Sequence, residues 1–247
     1  MNTKYELTDE TREFHGATLH RIRALKDFGK VKKGDLGGWI ESEKNLSIHG
    51  NCWVFDDAVV FDDANVSDNA VIYNDSCISS RAEIMNECSV HGNSYIGYDA
   101  IIMDGAKIHN CRIGGYAMIS TNGVIDNCDI HDDAYIRDNV SLYNKVTVSG
   151  NSVIYGDAII KNGAYIFGDA RIGDSHDYIV ITGPGCEGIT VTFFKSTDSI
   201  DMSIGENMLG TIDDVARYIK KYERNVHGKE YLQMIKLAKR YFKNRKK

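Results

Sequence analysis

From Val54 onward a branched aliphatic residue returns at every sixth position. Val54, Val60, Val66, Ile72, Ile78, Ile84, Val90, Ile96, Ile102 and Ile108 form an unbroken run. The series resumes at Ile113, Ile119 and Ile125, then at Ile130, Ile136, Leu142, Val148, Ile154, Ile160, Ile166 and Ile172, twenty-one positions in all. Two residues before almost every one stands a small side chain, as at Ala58, Ser76, Cys88 and Ala100, with Val140 and Val146 as larger exceptions. The corner after each aliphatic carries Gly, Asn or Asp nearly throughout, Ser80-Arg81 being the exception. Those three residues tolerate the left-handed backbone of a tight turn. A period of six fits neither a helix nor a simple hairpin array. It fits short strands and tight corners, with the small and the large residue both facing inward.

Two steps are five residues long, Ile108 to Ile113 and Ile125 to Ile130. Both have the form Ile-x-Asn-Cys-x-Ile, and they lie three hexads apart. A three-sided coil places both at one corner of adjacent coils. A four-sided or sandwich arrangement would scatter them.

Outside the ladder the period stops. Glu13–Ile22 predicts a hairpin around His15-Gly16, and Gly34–Ile40 leads into the first coil, with Trp39 expected to cover its end. Beyond Ile172, strands are predicted over Tyr178–Thr182, Ile189–Lys195 and Ile200–Ile204, the first two joined through Gly183-Pro184-Gly185. Thr211-Ile212-Asp213-Asp214 has the form of a helix start, a threonine cap followed by acids. A second helix is predicted from about Lys229 to Lys243. The expected division is an N-terminal cap over 1–47, the coil over 48–177, and a small α/β module with a basic tail over 178–247.

The hexad pattern resembles the hexapeptide-repeat left-handed β-helix, in which three hexads make one triangular coil. That resemblance implies an all-β solenoid, a left-handed parallel β-helix of about seven triangular coils, and implies a trimer. The wider layout resembles an uncharacterised family common in bacteriophages and mobile elements. It rests on Tyr5-Glu6-Leu7-Thr8 with Gly34–Ile40, the Asn/Asp-Ala-x-Val/Ile repeats, and Ile181-Thr182-Gly183 with Thr192-Phe193-Phe194-Lys195.

Composition changes this picture in three places. The net charge of −6 hides an asymmetry, since Arg217–Lys247 holds twelve Lys/Arg against Glu223 and Glu230. Of the six cysteines, Cys52, Cys88, Cys111 and Cys128 occupy the small inward position, where they read as core fillers rather than a disulfide framework. No run approaches the roughly 18 apolar residues of a membrane span, and the N-terminus has no apolar signal core, so a cytoplasmic location is expected.

Sorting the outward positions by every third hexad defines faces. One carries Met85, Ile101, Met103, Met118, Tyr135, Val153 and Tyr155, an apolar stripe that reads as an oligomer interface or as a surface covered by the C-terminal module. Another stacks Trp53, Phe55, Tyr73, His91 and His109, a candidate ligand face. His91 and His109 are the candidate catalytic bases, with His131 as a further histidine. No third metal ligand of matching spacing accompanies them, so neither a metal nor a cofactor is expected. Asn74, Asn110, Asn127, Asn144 and Asn162 read as a side-chain ladder at the shortened corner. Lys236, Lys239, Arg240, Lys243 and Arg245 could meet an acidic partner, or simply offset the acidic body.

Three functional readings follow. The favoured one is a non-catalytic binding or scaffold protein that engages a host macromolecule or nucleotide as a homo-oligomer, because the ladder shows no inserted loop and no catalytic constellation. The second is a hexapeptide-repeat acyltransferase using acetyl-coenzyme A or a similar donor. The third is a nucleic-acid-binding protein acting through the basic C-terminal helices.

Overall fold

The hexads close into a left-handed three-sided coil. The computed structural model describes residues 2–183, 189–223 and 225–244. Three parallel sheets run along the coil axis, each with seven strands from the repeat. The first face spans Trp53–Val54 to Ile159–Ile160, the second Val59–Val60 to Tyr165–Ile166, and the third Asn65–Val66 to Arg171–Ile172. All twenty-one ladder aliphatics are fully buried, each stacked on its counterpart one coil away. Burial of each stabilises the fold by about 1.5–3 kcal/mol. The small residue beside it keeps the interior narrow enough to fill.

The corners explain the Asx-rich spacing. Asp56, Asp62, Asp68, Asn74, Asn86, Asn110, Asn127, Asp132 and Asp138 all hold positive φ, between 51° and 66°. Several also use the side chain to reach the next coil. Asp56 accepts the Asn74 N–H at 2.9 Å, Asp62 that of Ser80 at 3.0 Å, and Asp132 that of Gly150 at 3.0 Å. One residue thus meets two demands, a left-handed turn and a partner for a backbone N–H that faces away from the sheet. The early aspartates are structural parts, beyond any role in solubility. Two corners break the rule, for Ser80 and Tyr98 adopt φ of 61° and 58°.

Both open ends of the coil are closed by polar side chains. At the top, Tyr5–Phe14 and Ala17–Ala24 pair around His15-Gly16, and Leu36–Ile40 joins them to Val59–Val60, extending the second face to ten strands. Buried Lys4 donates Nζ to Ser47 O and His49 O, and the Tyr5 hydroxyl donates to Leu46 O. The aromatic lid is Tyr5, Phe28 and Trp53, with ring centroids 6.2 and 5.4 Å from Trp53. Trp39, expected to cover the coil end, packs instead on the outer surface with Leu19, Val59 and Phe61, between Arg12 and Arg21.

At the bottom an antiparallel sheet, Tyr178–Thr182, Thr190–Lys195, Ile200–Ile204 and Met208–Thr211, lies across the last coil. Thr192 Oγ1 accepts the Tyr165 N–H at 3.0 Å and Ser203 Oγ donates to Tyr165 O at 3.1 Å. The exposed strand edge is therefore satisfied by hydroxyls. Phe194 faces the coil, while Val191, Phe193, Met202 and Ile204 face two helices. These are α1 (Ile212–Tyr222), capped by Thr211, and α2 (Val226–Lys243), capped by Asn225. The strand Met208–Thr211, which pairs with Ile200–Ile204, was not expected. Helix α2 starts earlier than expected, since Gly228 sits inside its first turn. A Cβ there would meet Glu223 O at 1.8 Å, so glycine is required rather than disruptive. The Pro184-Gly185 part of the predicted turn lies outside the described residues.

Replacing Asp132 with alanine removes both corner functions, the hydrogen bond and the tolerance for φ of 60°. The expected cost is about 1–3 kcal/mol in urea denaturation, with Asp132→Asn costing less. The Gly150 N–H holds the Asp132 carboxyl below its ordinary value. A depressed folded pKa contributes stability that is present above about pH 4 and lost as pH falls through the folded value. The alanine variant should show correspondingly less acid sensitivity in that window. Equal acid sensitivity in both proteins would contradict this account.

Candidate active site

The two five-residue steps fall at one corner, between the first and second faces. Asn110 and Asn127 make the shortened turns, with φ of 51° and 53°. Below them Asn144 and Lys145 turn together, with φ of 63° and 62°. Removing a residue from two successive corners leaves a recess. A groove of about 640 Å³ runs there, lined by Asn93, Asn110, Cys111, Arg112, Asn127, Cys128, Lys145 and, from the C-terminal sheet, Glu206, with Tyr95, Asp129, Val146 and Thr147 along the second face. The asparagines do not form a continuous side-chain ladder. Asn74 and Asn110 accept backbone N–H groups of Gly92 and Asn93, whereas Lys145 and Gly163 donate to the backbone carbonyls of Asn127 and Asn144. Gly92 is needed where the Asn110 amide comes closest, since a Cβ would lie 2.1 Å from its oxygen.

His109 stands just outside the groove's lining, one residue before Asn110, whose amide lines the groove and contacts the His109 ring. Its strand pairs with Val124–Asp126 so that His109 and Asp126 are in register. Asp126 Oδ1 is 2.7 Å from His109 Nδ1. An ionised carboxylate only accepts, so this contact places the ring proton on Nδ1 and leaves the lone pair on Nε2. Nε2 in turn lies 3.3 Å from Asn110 Nδ2, a donor. The side chains are about half and one-third exposed, 52% and 34%, so the free nitrogen is accessible. This is a base with an orienting carboxylate. Sequence reasoning missed it because nothing in the sequence marks Asp126 apart from the other outward acids.

The rest of this face is a stack. Phe55 and Tyr73, then Tyr73 and His91, lie 4.5 Å apart with planes 6° from parallel. Their faces are spent on one another, and burial with the neighbouring His109 pushes the His91 imidazole down, so it stays neutral at pH 7. His91 pairs with His109 in the ladder but contacts no carboxylate. Trp53 does not belong to this surface. It is 1% exposed beneath the N-terminal cap, where Gly37 admits its ring.

The floor beneath the dyad carries two thiols. Cys111 Sγ is 3.2 Å from His109 O, and Cys128 Sγ is 3.1 Å from Asp126 O. Cys111 Sγ is also 3.2 Å from Ile125 O, so the two thiols together support the backbone of both dyad strands. His131 approaches Asp132 at 3.2 Å on the neighbouring face, away from the groove.

The remaining sequence candidates fall elsewhere. Met85, Ile101, Met103, Met118, Tyr135, Val153 and Tyr155 share the third face, half-buried, with Ile101, Met118, Tyr135 and Val153 in one continuous register. Arg137 interrupts the stripe and stacks on Tyr155 at 5.1 Å. On α2, Lys236, Lys239, Arg240 and Lys243 are exposed, and Lys239 pairs with Asp213 of α1. Arg245 lies outside the described residues. Among the described residues no three His, Cys, Asp or Glu side chains converge as a metal site, and no helix is long and apolar enough to cross a membrane.

Two comparisons bear on this site. Residues 72–180, which include the dyad and all of the groove's lining but Glu206, match the family model described as the GMPPB C-terminal domain. A 73-residue stretch is 38% identical to a protein of Escherichia coli strain K12 named "Uncharacterized acetyltransferase YdcK", covering 26% of this chain and 22% of that protein. Neither match carries the phage or mobile-element origin that the layout suggested. The similarity to a protein named as an acetyltransferase overturns the expectation of a non-catalytic scaffold. That expectation also did not include the His109–Asp126 pair, whose side chains meet at 2.7 Å.

Proposed function

We propose that this protein is an acyltransferase that moves an acyl group from a thioester donor, coenzyme A or an acyl carrier, to a hydroxyl or amine held at the corner groove. The observation that carries this reading is the His109–Asp126 pair beside the groove, at 2.7 Å. The named acetyltransferase among its relatives supports it.

In this mechanism the acceptor X–H binds with its proton toward His109 Nε2, displacing the contact with Asn110. Nε2 takes the proton as X attacks the thioester carbonyl. Asp126 holds the ring in the required tautomer and stabilises the imidazolium that forms. The Asn110 amide is placed to donate to the oxyanion of the tetrahedral intermediate. Collapse breaks the C–S bond, and the imidazolium returns its proton to the departing thiolate. Arg112 and Lys145 supply positive charge along the groove for an anionic donor, and Asp129 and Glu206 supply acceptors for a polar nucleophile.

We also propose that the third face is a trimer interface. An uncovered register of Ile101, Met118, Tyr135 and Val153 supports it. The C-terminal sheet packs on the last coil through Tyr165 and Ala170, which supports assigning that stripe to a contact between subunits.

Thiol release from acetyl-coenzyme A, measured against a panel of small alcohols and amines, tests the chemistry. His109→Ala should lower turnover by about 10²–10⁴-fold, the usual contribution of a positioned general base. Asp126→Asn should also lower it steeply, because the carboxylate that fixes the tautomer is gone. Turnover unchanged in His109→Ala would sink the assignment. Light scattering should give three times the chain mass, reduced to one by Met103→Glu with Met118→Glu. A wild-type monomer would remove the interface.

A further inference from the structure

We infer that Cys111 and Cys128 are a redox-active dithiol, which closes to a disulfide between adjacent coils on exchange with a small oxidised thiol and so disturbs the dyad above it. Only the consequence for turnover rests on the acyltransferase reading.

Four observations converge on this pair. Both residues come from the Ile-x-Asn-Cys-x-Ile steps and occupy the same small inward position on adjacent coils. Their strands are direct neighbours, with Arg112 in register with Asp129 and its N–H donating to Cys128 O at 2.9 Å. Neighbouring strands lie about 4.8 Å apart, inside the roughly 4.4–6.8 Å range of Cα separations that a disulfide spans. Both cysteines line the groove, at 2% and 5% exposure, whereas Cys52 and Cys88 are sealed in the core at 0%.

The thiols also differ in chemistry from their counterparts. Burial pushes Cys88 up to about 12 and Cys77 up to about 11. When Cys111 gives up its proton, the Cys128 S–H turns to its sulfur, and this hydrogen bond draws the Cys111 thiol below the usual range while raising that of Cys128. One thiol of the pair ionises with the other S–H turned toward it, and that thiolate is the attacking group. It attacks one sulfur of a low-molecular-weight disulfide RSSR, and RS⁻ leaves and takes up the proton that the thiol released. The second cysteine then loses its proton and attacks the sulfur of the first, expelling a second RS⁻, which takes up that proton. Two cysteines are oxidised and RSSR is reduced to two RSH.

The link to the dyad is direct. In the reduced protein Cys128 donates to Asp126 O at 3.1 Å, and the single Cys111 S–H lies 3.2 Å from both His109 O and Ile125 O. A disulfide has no S–H, so both donors vanish together. The backbone segments that set the His109–Asp126 contact lose their support from below.

The test uses the full chain with glutathione disulfide, read by intact mass and peptide mapping. The expected product is a single cross-link joining the peptides that contain Cys111 and Cys128, with two hydrogens lost. Cys111→Ser and Cys128→Ser should each abolish it, leaving at most a mixed disulfide of the remaining cysteine with glutathione. No cross-link, or pairing through other cysteines in folded protein, overturns the dithiol. The His109 Nδ1–H proton resonance should differ between oxidised and reduced protein, and an unchanged signal overturns the coupling. Acyl transfer should fall on oxidation and recover with dithiothreitol. If reduced protein transfers no acyl group at all, the acyltransferase reading fails by itself, and mass and resonance still decide the dithiol.

Discussion

A corner must be turned at every sixth residue, and an L-amino acid must enter the left-handed region to do so. Everything else in the coil depends on meeting that demand many times over. Asp and Asn meet it best here because the side chain that tolerates the conformation also reaches the neighbouring coil, as Asp62 does to Ser80 N and Asn86 to Asp104 N. The ladder of buried aliphatics drives collapse but is indifferent to where the chain turns. The corners choose the register, and the register stacks one coil upon the next.

A shortened corner follows from the same constraint. Where Asn110 and Asn127 turn in five residues, the coil still closes, because the inward aliphatic and the inward small residue keep their places. The missing residue is lost from the outside. A recess opens there, and the strand beyond is brought one position closer in sequence. His109 therefore meets Asp126 across one coil, a polar pair in a column whose upper members, Phe55, Tyr73 and His91, are stacked rings. Groove and dyad have one cause.

The period of six, the three faces and the two end modules were legible in the sequence because each is written in side-chain size and spacing. The dyad was not, because Asp126 meets His109 only through the shortened register of the two strands, and nothing in the sequence marks that aspartate apart from the other outward acids. Trp53 was misplaced for a different reason. Its parity puts it on the first face, but parity says nothing about the cap that folds over it, which Tyr5, Phe28 and Gly37 provide. The closure of the coil ends was equally hidden. Lys4 on the carbonyls of Ser47 and His49, and Thr192 and Ser203 on Tyr165, are single polar contacts between segments far apart in the chain.

The expectation of a non-catalytic protein rested on the lack of an extruded loop. An extruded loop is one way for a solenoid to make room for a substrate, since the uninterrupted coil offers only flat faces and tight corners. Subtraction is another. Deleting one residue from each of two stacked corners yields a concave surface whose walls are mostly strands and corners of the coil itself. A general base built there gains its orientation from register rather than from loop closure. It also inherits the floor of the corner, where the small inward position holds cysteine at both shortened steps. Alanine would fill that position as well sterically. A thiol adds a donor to the carbonyls of His109 and Asp126, which ties the core of the coil to the geometry of the site above it.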